Sequence, residues 1–139
     1  MQLTCIYRKN KGGQGMTDET ILYIADQTAN GSPVLTALKA TGYEVVSTNS
    51  PSQAIALLYI LRKVVGVVLN RRMREQNGTD VARSLRAIRP DVPILLCTEQ
   101  VKRLPSSVDA WVDTRQPLEK LAAAVRHLLV AKRFQLLAA

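Results

Sequence analysis

Four polar residues stand directly after apolar, strand-like runs, and their types define the chemistry open to the chain. Asp26 follows Ile21-Leu22-Tyr23-Ile24-Ala25, Asn70 follows the β-branched run 64–69, Thr98 follows 93–97, and Asp113 closes Trp111-Val112-Asp113. A carboxylate such as Asp26 can hold a hard cation or accept hydrogen bonds from neighbouring amides. The Asn70 amide has no anionic oxygen and cannot attack phosphorus. Guanidinium groups crowd the same positions: Arg71, Arg72 and Arg74 follow Asn70, and Arg115 adjoins Gln116. Planar forks of this kind suit carboxylates and phosphates, so these arginines are candidate contacts for an anion or an acidic partner. The competing reading is a solvated charged face.

Other chemistries find no support. His127 is the sole histidine and lies on a helical stretch, and no Gly-x-Ser-x-Gly elbow exists to build a hydrolase triad around it. Cys5 and Cys97 form no C-x-x-C pair, which leaves neither a disulfide framework nor a zinc site, and Cys97 reads as a core thiol. Lys11-Gly12-Gly13-Gln14-Gly15 precedes the first clear strand and lacks the Gly-Lys-Ser/Thr ending, so it does not cradle phosphate. We therefore expect no enzyme, no catalytic residue and no cofactor.

The elements that position these residues alternate. Strand patterns at 21–24, 44–47, 64–69, 93–97 and 111–113 are interleaved with helical patterns, as in βα units feeding a parallel sheet. Ser32-Pro33 opens the first helix and Gly42 follows its end; Ser50-Pro51-Ser52-Gln53 is a capping-box pattern; Pro90 stops a helix over 79–89. Pro105 makes any helix in 99–109 short or broken, and the last helix runs over about 117–133. Five such units favour an open, doubly wound α/β sheet, whose ligands bind at the carboxyl ends of the strands. Asp26, Asn70, Thr98 and the segment after Asp113 should converge there. Residues 1–16 read as a flexible basic tail, with Met16 an alternative start, residues 17–133 as the domain, and 134–139 as an extension of the last helix.

With 139 residues, 47% of them apolar, the chain is long enough for one packed core without staples. No apolar run approaches the roughly 20 residues of a spanning helix, so a cytoplasmic protein with no membrane contact is expected. The net charge of +8 would draw polyanions. No helix dense in Arg, Asn and Gln accompanies it, so nucleic acid is not the expected partner.

In order and spacing these segments resemble the receiver domain of two-component response regulators, over roughly residues 20–130. The resemblance is carried by Ile21-Leu22-Tyr23-Ile24-Ala25-Asp26, Val67-Val68-Leu69-Asn70, Met73 with Asn77-Gly78, Pro93-Ile94-Leu95-Leu96-Cys97-Thr98 and Gln116-Pro117. It implies a flavodoxin-like five-stranded parallel sheet of order 2-1-3-4-5. It also implies an acidic pair at Ala25 and Asp26, the phosphoacceptor position at Asn70, the switch at Thr98, a phosphate-contacting lysine position at Gln116 and an aromatic at Trp111. The chain departs from that set. Ala25 and Asn70 remove two of three carboxylates that would hold magnesium, and Gln116 replaces the lysine; Asp26 is a remnant.

The expected protein is thus a degenerate receiver of bacterial phosphorelay signalling that binds a protein partner without phosphoryl chemistry. Trp111 and the second apolar stripe Val130, Phe134 and Leu137 are candidate interface residues, for homodimerisation or for a partner. Two alternatives stay open. One is binding of nucleic acid or a phosphorylated ligand through the basic surface; the other is an active receiver with Glu75 or Asp80 as substitute acceptor.

Overall fold

The computed structural model describes residues 5–7, 19–25, 33–61, 63–70, 78–98 and 104–138. They form a six-stranded sheet: β1 (Cys5–Tyr7), β2 (Thr20–Ile24), β3 (Glu44–Thr48), β4 (Val64–Asn70), β5 (Ile94–Thr98) and β6 (Ala110–Asp113). The helices are α1 (Pro33–Ala40), α2 (Pro51–Ile60), α3 (Gly78–Ile88) and α4 (Leu118–Ala138). The order across the sheet is β1-β3-β2-β4-β5-β6. Its five parallel strands therefore follow the expected 2-1-3-4-5 order, and β1 adds an antiparallel edge beside β3. This corrects one expectation. Cys5-Ile6-Tyr7, read as part of a flexible tail, pairs with Val45, Val46 and Ser47, because three extendable residues suffice to cover the amide row of an edge strand.

Alternation along the strands splits the core into two layers. Ile21, Tyr23, Val45, Val68, Leu95, Cys97 and Val112 pack under α1 and α4, whereas Leu22, Ile24, Val46, Val67, Leu69, Ile94 and Leu96 pack under α2 and α3. Helices on both faces explain why β2 and β4 read as unbroken apolar runs.

Local signals fix the helix ends. Gly42 takes φ 97° just past α1, a left-handed conformation that glycine adopts without penalty. Ser50 caps α2 by accepting from the Gln53 amide at 3.3 Å, with Pro51 in the first turn. The other half of the anticipated capping box is replaced. The Ser50 amide donates to Thr48 Oγ1 at 3.2 Å, and the Thr48 hydroxyl donates to Gln53 Oε1 at 2.8 Å, so the Gln53 side chain is buried against β3.

Two long-range features set the remaining geometry. Between β2 and β4 the register jumps, Thr20 opposite Val64 but Ile21 opposite Gly66, which leaves Val65 unpaired as a bulge. At the other side of the sheet, 104–109 contains a turn closed by the Val108 amide on the Pro105 carbonyl and no helix, in line with the broken connection read from Pro105. α4 runs from Leu118 to Ala138, into the segment after residue 133 read as an extension of the last helix. Among the described residues no helix is long and apolar enough to cross a membrane.

Candidate functional site at the carboxyl ends of the strands

The chain enters β2, moves outward to β3, and then crosses back over β2 to β4, so the connections diverge between β2 and β4. That switch point is where an open sheet of this kind leaves a crevice beyond its carboxyl edge. Ile24 is level with Leu69, which brings Ala25 and Asn70 to this edge side by side. The Ala25 amide donates to the Thr48 carbonyl at 3.1 Å, Asn70 is paired with Cys97, and Thr98 is paired with Asp113. Asn70 and Thr98, singled out from the sequence, thus share one edge of the sheet. Asp26, Arg71, Arg72, Arg74 and Glu75 lie outside the described residues, as does Met16.

At Ala25 and Asn70, the described positions where the resemblance anticipates carboxylates, the side chains are uncharged. Ala25 is 2% exposed and its methyl group belongs to the core layer under α1 and α4. Asn70 and Thr98 are half-buried. The Cys97 thiol is buried, and desolvation pushes its pKa up to about 12, so it stays protonated and unreactive. Of the described positions in the magnesium set, Ala25 offers a methyl and Asn70 an uncharged amide, and neither is a carboxylate that a hard dication prefers.

The lysine position is displaced. β6 ends at Asp113, beside Thr98, and the following Thr114 amide donates to the Thr98 carbonyl at 3.3 Å. Gln116 comes two residues later, half-buried in the turn before α4, so Asp113 and Thr114 rather than Gln116 are level with Thr98. Arg115, a candidate contact for an anion or a partner, is exposed and chelates its own neighbour: its backbone amide and Nε donate to Asp113 Oδ1 at 2.9 and 3.0 Å, and Nη2 donates to Oδ2 at 2.9 Å. A fork matched to a carboxylate two residues away captures it locally. This Asp113–Arg115 pair was not legible as such, because the Asp-x-Arg spacing becomes a chelate only once the turn closes.

The side-chain and backbone hydrogen bonds from Arg115 hold the Asp113 carboxyl below the usual carboxylate range. A lowered folded-state pKa stabilises the fold above the unfolded value, about 3.9, and that contribution disappears as pH falls through the folded pKa. Following the Asp113 carboxyl carbon by NMR, we expect a midpoint below the ordinary aspartate value, moving upward in Arg115→Ala; an unmoved midpoint would remove the chelate from solution.

Asp80, one of the two substitute carboxylates considered from the sequence, lies on the first turn of α3 with its side chain 56% exposed and Arg83 at 3.7 Å. His127 is exposed on α4, as expected for a surface histidine. Trp111 is 37% exposed on the edge strand β6, on the sheet face of its pairing partner Leu96 and therefore opposite to α4. The candidate interface residues consequently divide: Trp111 belongs to one face of the sheet, while Val130 and Phe134 project from α4 on the other. The side chain of Leu137 lies outside those described.

No family model matches the chain. It is 28% identical over 116 residues to the probable transcriptional regulatory protein TcrX of Mycobacterium tuberculosis, an alignment covering 79% of this chain and 49% of that protein. The chain thus spans about half the length of this relative. Among solved structures it is similar to a CheY-like response regulator receiver domain protein of Methanospirillum hungatei, with TM-score 0.71 and 17% identity over 86% of this chain and 99% of that one. A response regulator receiver protein of Sinorhizobium medicae matches with TM-score 0.64 and 26% identity over 82% of this chain and 96% of the other. With the strand order, the crossover and the divergence point already established, these likenesses show that the chain has the fold of a response-regulator receiver domain.

Proposed function

We propose that the chain is a signalling module of the two-component type that is not phosphorylated and acts by binding a protein partner. The observation that carries this reading is Asn70 at the end of β4, beside Ala25 at the divergence point, where a receiver would present its nucleophile. An acyl phosphate needs a carboxylate, and an amide in that seat offers a poor nucleophile and no charge for magnesium. Two missing charges matter: at about 4 Å and an effective dielectric of 20, each unit pair is worth on the order of 4 kcal/mol. Magnesium binding is therefore not part of this function, and neither is catalysis. Thr98, with no phosphoryl group to follow, serves as a fixed element of the edge.

The test is direct. After incubation with acetyl phosphate and magnesium, the intact mass of the protein should be unchanged. Gain of one phosphoryl mass, lost in Asp80→Asn or Glu75→Gln, would replace this reading by that of an active receiver with a substitute acceptor.

A further inference from the structure

α4 is longer than the sheet needs. Its core-facing residues Leu121, Ala122, Val125 and Leu129 are buried, and the last of them is followed by nine more helical residues. On the side away from that core, Val130 is 56% and Phe134 73% exposed, one helical turn apart. An aromatic side chain left in water next to a branched aliphatic one on a continuous helix is the pattern of an interaction stripe. The charges beside it have a single sign. Arg126 is exposed on the preceding turn, Lys132 and Arg133 follow in sequence, and the sole acid of α4 is Glu119 in its first turn, about 16 Å along the axis before Val130.

That distribution selects the occupant. A second copy would lay basic residues against basic residues in a chain that already carries +8. A membrane-lying helix needs a broad apolar face, and the broad face of α4 is spent on the core. We propose that the outward stripe of α4, centred on Val130 and Phe134, is a docking site for an acidic amphipathic helix of a partner protein, with apolar residues on the stripe and carboxylates toward Arg126. The proposal names the kind of partner for the phosphorylation-independent module described above and rests on that reading.

The full chain can be titrated with a fluorescent synthetic helix that carries leucines on one face flanked by glutamates. Binding should weaken as salt is raised, fall at least about tenfold in the double variant Val130→Ser/Phe134→Ser, and fall about fivefold in Arg126→Glu. All three positions are exposed, so thermal melts should be unchanged and separate lost docking from lost fold. Equal binding of a lysine-flanked helix, undiminished binding by the double variant, binding only to phosphatidylglycerol vesicles or duplex DNA, or a concentration-dependent dimer abolished by Phe134→Ser would each overturn the proposal. Repeating the titration after acetyl phosphate and magnesium keeps the two readings apart. Binding seen only then would remove the phosphorylation-independent function but leave the docking site, whereas absence of binding in both conditions would remove the site alone.

Discussion

Gly66→Ala is expected to lower stability by about 1–2 kcal/mol, and Gly66→Val by more, read as a fall in the urea midpoint at constant slope. A Cβ built at Gly66 would overlap Leu129 Cδ2, with Leu129 Cγ at 3.4 Å. The cause is the bulge at Val65. It turns two consecutive β4 residues toward α4, and the space there holds the side chain of Val65 but not a second one. Restricting the unfolded chain by Gly→Ala returns about 0.4–1 kcal/mol, less than the roughly 1–3 kcal/mol that overpacking costs when the obstructing group cannot withdraw. Leu129 is 1% exposed between α4 and the sheet, so withdrawal is blocked. The double variant Gly66→Ala/Leu129→Ala should then be more stable than the sum of its parts by about 1 kcal/mol, since the added methyl occupies part of the cavity left by leucine. Strict additivity, or an unchanged midpoint in Gly66→Ala, would show that the helix stands further from β4 than described.

What could be read from the chain beforehand follows the range of the interactions involved. The Ser50-Pro51 start of α2, the glycine after α1 and the apolar run of β4 are written within a few residues, and the structure repeats them. Order across the sheet was implied by the resemblance to receiver domains and matches the observed pairing. Three features depend on pairing across the chain and left no local mark. β1 is three residues whose strand character comes from the exposed edge of β3. The bulge at Val65 comes from the offset between β2 and β4. The residue level with Thr98 is Asp113 because β6 pairs with β5 in that register. Asn70 was legible because it closes an unmistakable strand. The pairing of Arg115 with Asp113 was not legible, because charge alone does not reveal which neighbour a guanidinium meets.

Removing the carboxylate of Asp109 should cost about 2–3 kcal/mol, the range for a hydrogen-bonded charge lost from a largely buried site. Asp109 Oδ2 accepts from the Ile94 amide at 2.7 Å and from Arg86 Nη2, and the two side chains are only 17% and 23% exposed. Arg86 spends its remaining donors on the carbonyls of Pro90 at 3.0 Å, Val92 at 3.3 Å and Ser107 at 3.5 Å. One guanidinium from α3 thereby joins the turn before β5 to the segment before β6, on the side of the sheet where 104–109 contains no helix to hold that segment. Asp109→Ala leaves a shielded cation facing carbonyl dipoles alone and the first amide of β5 without its carboxylate. Exchange of the Ile94 amide should accelerate together with the loss of global stability. Asp109→Asn should retain part of the stability, because its side-chain carbonyl can still accept from Ile94 while the charge pairing with Arg86 is gone. Arg86→Lys should recover little, since one ammonium cannot reach four acceptors spread over residues 90, 92, 107 and 109. In a double-mutant cycle the alanine variants of Arg86 and Asp109 should couple by about 1.5 kcal/mol or more. Independent effects would mean that β6 is held by its ladder with β5 alone, and the exposed Trp111 edge would then be the first part of the sheet to open.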